Sequence, residues 1–351
     1  MLFSRLALAV AVAPAVQAVL QYRAMDWSSL LIEEERNSVY YQNATGQNEA
    51  LEGILVDNGV NMVRQRVWTN AGDGDYGIDY NIRLAKRAEA AGLMFGLNLH
   101  YSDTWTNPGL QDIPTGWPTD VTGLAKKVWD HTTDVCNAFA AASLIPETIT
   151  IGNEINGGIL WPTGKYDQPA NLAKLLQTAS QAIRASNLKP QPKIQIHLSH
   201  GEEGEEMQWW YDMVLSNGLT LEDFDMQTVS FYPFWGSAAT QANLTASLGN
   251  MATRYGKELM VVETNWPIIC SKPDYAFPSD TVDIPIGPPA GQTTWIQRTA
   301  ASIASVPKGV GLSYWEGGWV SNAVLGSSCE WNAMFDGNGR AYDSIGVFNT
   351  I

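Results

Sequence analysis

The stretch YNIRLAKRAEAAGLMFGLNLHYSDTW, Tyr80 to Trp105, holds one full structural unit. Tyr80–Ala91 has the composition of a helix, and Gly92 stands where a left-handed cap would end it. Leu93–His100 is a short apolar run of strand length. The run then gives way to His100-Tyr101-Ser102-Asp103-Thr104-Trp105, a polar and aromatic group rather than a plain turn. Helix, strand and functional-looking strand end follow one another within about 26 residues, a spacing suited to a parallel sheet with helical crossovers.

The unit recurs along the chain. Strands are predicted at Leu20–Met25, Asn61–Trp68, Leu93–His100, Thr148–Glu154, Lys193–Ser199, Met226–Tyr232, Leu259–Thr264 and Val310–Glu316. Helical patterns fall at Tyr80–Ala91, Gly123–Ala142, Pro169–Ser186, Glu206–Leu215, Thr240–Tyr255 and Gln292–Ser305. Eight strands of this kind predict an α/β fold closed as a (β/α)8 TIM barrel. No G-x-G-x-x-G follows the first strand, so a dinucleotide-binding sheet is disfavoured. The Pro/Gly-rich segment Ser271–Gly291 reads as a long loop after the seventh strand, and no repeat or linker divides the chain. One domain is expected over residues 19–351.

Residues 1–18 read differently. Arg5 supplies a positive charge, Leu6–Ala13 is a short apolar run, and Val16-Gln17-Ala18 fits the small-x-small cleavage rule. This is the pattern of a secretory signal peptide, with the mature chain starting near Val19 or Leu20. Secretion to the cell exterior is therefore expected, without a membrane anchor. In an oxidising compartment two of the three cysteines should pair. Cys136 occupies an apolar helical position and reads as a buried thiol. Cys270 and Cys329 lie in loops just after strands and are the expected disulfide. Asn43-Ala-Thr45 and Asn243-Leu-Thr245 are glycosylation sequons.

With 45% hydrophobic and 16% charged residues among 351, the chain can build a large core, which argues against disorder. Its formal charge of −15 opposes binding to nucleic acid, to an anionic membrane or to a polyuronic acid. A neutral partner is the easier one. Neither a cofactor nor a metal is called for, since no Asp-rich loop or His/Cys spacing asks for an ion. A monomer is expected.

The active residues of such barrels sit at the C-terminal ends of the strands. Those ends carry Asp26, Arg64, Arg66, His100, Asn153-Glu154, Tyr232, Glu263 and Trp315-Glu316, together with several of the 14 tryptophans. Aromatic rings among polar groups suit sugars, whose C–H faces stack while their hydroxyls need paired partners. Glycosidic cleavage needs two carboxyl groups. Glu154 ends the fourth strand and Glu263 the seventh, on opposite sides of the mouth. Asp103 and Glu316 are weaker competitors. Glu202 to Glu206 read as a solvated helix start, where negative charge suits the dipole. His197 and His200, three apart on a strand, would face opposite ways and share no metal.

At Gly152-Asn153-Glu154 and Glu263-Thr264-Asn265-Trp266 the chain resembles the clan A glycoside hydrolases. Six ordered motifs narrow this: Val63–Trp68, His100–Trp105, Ile151–Ile155, Val229–Phe234, Val261–Pro267 and Tyr314–Glu316 resemble glycoside hydrolase family 53, in particular its fungal arabinogalactan endo-β-1,4-galactanases. The resemblance implies endo-hydrolysis of β-1,4-galactan, including type I arabinogalactan, by a retaining double displacement. Glu154 would be the acid/base and Glu263 the nucleophile, with carboxyls roughly 5–5.5 Å apart. Arg64, lying beside Glu263, would favour its ionised form. Asn153 would bond the sugar 2-hydroxyl. His100, Tyr232 and Trp315 would line the reacting subsite, and Asp26, Asp103, Trp105, Trp266 and Trp319 would complete the binding surface.

The chain also departs from the family pattern. Asn98-Leu99 precede His100 in place of Asp-Phe, Trp315-Glu-Gly-Gly-Trp319 replaces Trp-Glu-Pro-Ala-Trp, and Asn156 stands where fungal members have Arg. Gly201–Glu206 replaces a tryptophan-bearing loop. The carboxylates alone do not separate a galactanase from a mannanase, cellulase or xylanase. A barrel that binds sugar without cleaving it would typically lack one of them.

Overall fold

The computed structural model describes residues 19–351; the signal-peptide reading of residues 1–18 lies outside them. Eight parallel strands form a closed barrel: β1 (Tyr22–Asp26), β2 (Met62–Val67), β3 (Met94–Leu99), β4 (Thr148–Ile151), β5 (Lys193–Leu198), β6 (Met226–Ser230), β7 (Glu258–Glu263) and β8 (Gly309–Tyr314). Neighbours in sequence are neighbours in space, and β1 closes on β8 through Tyr22 opposite Gly311. Around the barrel run α1 (Leu30–Glu35), α2 (Leu51–Asp57), α3 (Ile78–Ala90), α4 (Val121–Ala141), α5 (Pro169–Ala185), α6 (Gly204–Ser216), α7 (Gln241–Tyr255) and α8 (Ala290–Ala304). This is the expected TIM barrel.

Local chemistry sets the helix ends. Asp120 caps α4 by accepting from the Gly123 N–H, Thr240 caps α7 by accepting from Asn243, and Pro169 opens α5. Gly92, at φ 76°, turns the chain out of α3 as its sequence position predicts. In α3 Tyr80, Leu84, Ala85 and Ala88 are buried, the spacing of one helix face against the barrel. Two short helices between β1 and β2 escape the sequence reading. At six and seven residues each, α1 and α2 are too brief to show a periodic pattern.

The barrel interior changes character along its axis. At its base Lys193 pairs with Glu258, and Tyr22 donates to Glu147 at 2.6 Å. Above them Tyr22, Ala24, Met62, Met226, Met260 and Val262 form an apolar plug. Gly96 lets this layer close, because a Cβ there would meet Thr148 Oγ1 at 2.4 Å and Met62 Cε at 2.8 Å. The top layer is polar: Asp26, Arg64, Asn98 and His197 are all buried within it. Buried polar groups persist only when paired, so this layer must be bonded internally.

Two backbone irregularities aim the top layer. β4 stops at Ile151, three residues short of the expected end, because Gly152 (φ 91°) and Glu154 (φ 49°) leave the strand conformation. β7 carries a bulge. Val229 pairs with Val261, whereas Ser230 pairs with Glu263, so Val262 is an extra residue. Met260 and Val262 face the plug, yet Glu263 also faces inward, and Thr264 turns outward to accept from Trp295 Nε1. Without the extra residue, strict alternation would send Glu263 to the wrong face.

After β7 the long loop crosses the mouth and is tied down by the expected disulfide Cys270–Cys329. Cys136 is a buried free thiol. Cys329 packs with Tyr232 and Phe234, so the crosslink borders the mouth. It closes a loop of 59 residues, for which chain entropy gives about 4 kcal/mol. The Cys270→Ser/Cys329→Ser double variant should lose that amount in denaturant unfolding while retaining its far-UV spectrum; an unchanged midpoint would show that the loop holds itself in place.

Candidate active site

Both irregularities open onto one cleft of about 640 Å³ at the C-terminal end of the strands. Its walls include Arg64, Arg66, His100, Trp105, Asn153, Glu154, Tyr232, Glu263, Trp315 and Trp319. The structure thus brings together nine of the predicted site residues, with Arg66 added.

Glu154 enters from β4 in a left-handed conformation that a non-glycine residue adopts only when its surroundings hold it. Gln111 does so, donating from Nε2 to the Asn153 carbonyl at 2.9 Å. The Glu154 side chain keeps part of its surface open to the cleft, and its Oε1 accepts from Ser230 Oγ at 2.7 Å. Glu263 is buried. Its Oε1 pairs with Arg64 Nη1 at 2.9 Å and its Oε2 accepts from the Tyr232 hydroxyl at 3.0 Å. Ser230 Oγ lies 3.5 Å from the same Oε2 and so stands between the two carboxyl groups.

The two acids differ in company. Burial, and then the charge of Glu263, push Glu154 up to about 7. Burial also raises Glu263, but Arg64 and the Tyr232 hydroxyl oppose it by favouring the carboxylate. One acid is therefore suited to carry a proton while the other is charged. His100 lies in the wall, held neutral by burial and by the charges of Arg66 and Arg64. Glu154, His197 and Glu263 each bring a potential ligand atom to within 4.8 Å of the others, a spacing that suits a metal. Arg64 occupies the cation's role there, with Nη1 on Glu263 and Nη2 3.4 Å from His197 Nδ1.

An aromatic wall stands opposite. Trp105 stacks on Trp319 at 5.9 Å and meets Trp315 edge-on at 6.1 Å. The Arg66 guanidinium lies over Trp105 at 4.1 Å and over Tyr76 at 4.4 Å. Glu316 neutralises Arg66 and accepts from Ser29, wholly buried outside the cleft wall. Glu316 is thus an anchor for the wall, and burial pushes it up to about 7.

Three residues expected on the binding surface do not reach it. Asp26 is fully buried behind Arg64, which it pairs at 3.0 Å. Asp103 braces loops instead, accepting from Thr69 Oγ1, the Asn70 N–H and the Thr115 N–H. Trp266 is buried beneath the long loop, with Nε1 donating to the Pro285 carbonyl. Its position two residues after Asn265's neighbour Thr264 puts it on the helix side of β7, where it packs on Trp295. The acidic run is also only partly solvated. Glu202 is buried and lies 3.5 Å from His200 Nδ1, while Glu206 accepts from Asn156.

Sequence reading missed Ser230 and Tyr275, and it placed His197 and Trp235 at strand ends without giving them a role. Ser230 sits two residues before Tyr232 and shares its face, so strand alternation carried the signal. His197 follows Gln195 in the same way. Trp235 and Tyr275 are exposed and line the cleft, but Tyr275 belongs to the irregular loop, where no periodicity locates it.

The geometry is that of a carboxyl pair in a sugar-sized, aromatic cleft, and the sequence pattern of glycosyl hydrolase family 53 matches residues 22–348. The chain belongs to this family. An arabinogalactan endo-β-1,4-galactanase from Humicola insolens is 51% identical over 333 residues, covering 95% of this chain and all of the relative. A solved structure of fungal β-1,4-galactanases superposes with a TM-score of 0.93 at 51% identity, again over 95% of this chain and 100% of the other. The family 53 catalytic domain of Ignisphaera aggregans gives 0.82 at 28% identity, over 95% and 97%. The barrel and its mouth are thus those of a glycoside hydrolase.

The raised Glu154 has a stability consequence. A carboxyl that ionises near 4.5 when unfolded and near 7 when folded binds its proton more tightly in the native state. Its contribution is full below 4.5 and is lost as pH rises to about 7. Glu154→Gln has no such loss. Its melting temperature should therefore gain on the parent protein between pH 4.5 and 7 and hold that gain above; a constant difference across this range would contradict the raised value.

Proposed function

We propose that this chain is an endo-β-1,4-galactanase that cleaves galactan and type I arabinogalactan by a retaining double displacement, with Glu154 as acid/base and Glu263 as nucleophile. The observation that carries the mechanism is the pair of unlike carboxyls, close enough for ligand atoms to lie within 4.8 Å and bridged by Ser230. Retaining enzymes hold their carboxyls roughly 5–5.5 Å apart, whereas inverting ones leave space for a water. The relatives' names support galactan as the substrate.

In the first step Glu263, charged and aligned by Arg64 and Tyr232, attacks the anomeric carbon. Glu154 delivers its proton to the glycosidic oxygen as that bond breaks. The product chain leaves and Glu263 carries the galactosyl ester. In the second step Glu154, now a carboxylate, takes a proton from water, which attacks the same carbon and frees Glu263. Asn153 retains a donor for the 2-hydroxyl: one Nδ2 hydrogen goes to the Thr106 carbonyl and the other is free. The rings of Trp315, Trp105 and Trp319 offer stacking faces for C–H surfaces, each worth on the order of 1 kcal/mol. The enzyme is proposed to act outside the cell as a monomer. Asn243, exposed in the first turn of α7, and Asn43, partly exposed, are the proposed glycan carriers.

Reducing-sugar release from linear β-1,4-galactan, mannan, xylan and soluble cellulose tests the substrate. Galactan alone should be cut, first to oligosaccharides of β configuration by NMR. Glu154→Gln and Glu263→Gln should remain folded and lose at least about a thousandfold in turnover. Cleavage of another polymer would overturn the substrate claim, an α product would overturn retention, and near-normal activity in either variant would overturn its role.

A further inference from the structure

Behind the carboxyl pair runs a second line of buried polar groups. His197, on β5, contributes nothing to the cleft wall, yet both of its ring nitrogens are engaged. Nε2 lies 2.9 Å from Ser230 Oγ. Nδ1 lies 3.4 Å from Arg64 Nη2 and 3.1 Å from Asn153 Oδ1. Neutral imidazole has one donor and one acceptor nitrogen, so these contacts must be assigned a direction.

Donor counting assigns it. Asn153 Oδ1 already accepts from Asn98 Nδ2 at 2.7 Å and from Arg64 Nη2 at 3.1 Å, which fills its two lone pairs. Arg64 Nη2 has a second hydrogen, and His197 Nδ1 is a second acceptor for it. With Nδ1 accepting, the ring proton belongs on Nε2 and is donated to Ser230 Oγ. The Ser230 hydroxyl hydrogen is then left to point at Glu154 Oε1, 2.7 Å away. In the other tautomer Nδ1–H would crowd a saturated oxygen, Ser230 would donate to Nε2, and Glu154 would lose its donor.

We propose that Arg64, His197 and Ser230 form one directional donor chain that ends on Glu154 and holds its carboxylate ionised and oriented at the start of the second half-reaction. The proposal rests on the acid/base reading of Glu154. His197 and Ser230 are positioning residues: they act on the sugar through Glu154. The other charged or titratable groups facing Glu154 are Glu263 on β7, which opposes its ionisation, and Arg64 on β2 and His200 beyond β5, which favour it; Tyr232 beyond β6 also lies in its field. Burial, and then the charge of Arg64, hold His197 well below its ordinary range, in keeping with a neutral ring. The chain joins the two acids through one guanidinium, whose Nη1 serves Glu263 directly while Nη2 serves Glu154 through two intermediaries.

Two NMR measurements on the mature protein test this, with turnover read beside them to separate the chain from the acid/base reading. In 15N-histidine NMR, with His197 assigned by its loss in His197→Gln, the ring should remain the neutral Nε2–H tautomer from pH 5 to 8. Detection of Nδ1–H, or of an imidazolium in that range, would overturn the chain. In 13C-glutamate NMR, Ser230→Ala should move the Glu154 titration upward by about one unit, the effect expected for one lost hydrogen bond to a charged group. Ser230→Thr, which keeps the hydroxyl, should return it. A folded Ser230→Ala protein with an unmoved Glu154 titration overturns the proposal even if Glu154→Gln is inactive. Conversely, full turnover in Glu154→Gln would defeat the acid/base reading while leaving the two NMR results to stand. A loss of turnover in Ser230→Ala without a titration shift would indicate a merely structural serine and also counts against the chain.

Discussion

The buried guanidinium of Arg64 organises the mouth of this barrel. It pairs with Asp26 and Glu263 and reaches Asn153 and His197, so residues from β1, β2, β5 and β7 and from the turn after β4 meet around one planar group. A lysine could not reproduce this, since it lacks the rigid fork that points donors in several fixed directions. A charge so deeply buried is costly unless it is balanced. Removing one partner of such a pair typically costs about 3–5 kcal/mol, because the remaining charge is left unpaired. Asp26 supplies the constant half of that balance and is shielded from any ligand. Glu263 can therefore change its state without leaving Arg64 alone.

The rest of the barrel serves to place these groups. The apolar plug beneath provides a dry floor, in which electrostatic interactions are stronger than in water. The bulge at Val262 turns Glu263 inward beside Ser230, and the left-handed turn at Glu154 brings the other acid from the opposite side. Both features break regular strand geometry, and both occur where a carboxyl must be aimed. A second arginine on β2, two residues on, has a different task. Arg66 is neutralised by Glu316 and lies among Tyr76, Trp105 and Trp319, so it stiffens the aromatic wall. Alternation along one strand thus supplies both the electrostatic centre and the support of the stacking surface.

The barrel was legible because its strands are short β-rich runs with a helical segment or turn signals around them. The paired acids were legible because strand ends converge in this fold. What could not be read has physical reasons. Trp266 and Trp315 follow strands in similar polar-aromatic contexts, yet one faces the helices and the other the cleft. The bulge that decides this adds one residue within Met260-Val261-Val262-Glu263, where every side chain is buried and no alternation marks it. Asp26 and Asp103 look alike as strand-end acids, but only the three-dimensional partners show that one balances Arg64 and the other ties loops together. Glu202 lies in an acidic run whose charge suggests solvent, yet it is buried beside His200, whose backbone leaves the strand conformation at φ 55°.

Charge conservation links these placements to the proposed chemistry. Consider Asp26, Arg64, Glu154 and Glu263 as one buried set. In the proposed resting state Glu154 is protonated and Glu263 ionised, which leaves one net negative charge. In the proposed galactosyl ester the Glu263 charge is consumed and Glu154 has given up its proton, so the net charge would again be one negative. The site never has to hold two uncompensated charges in a dry environment, nor to recruit a counter-ion between steps. Burial is the larger cause of the raised Glu154, and loss of the Glu263 charge removes the second, so the same residue is more easily ionised when a base is needed. The exchange works only because the two acids are close enough to sense each other, and because Arg64 remains paired to Asp26 throughout.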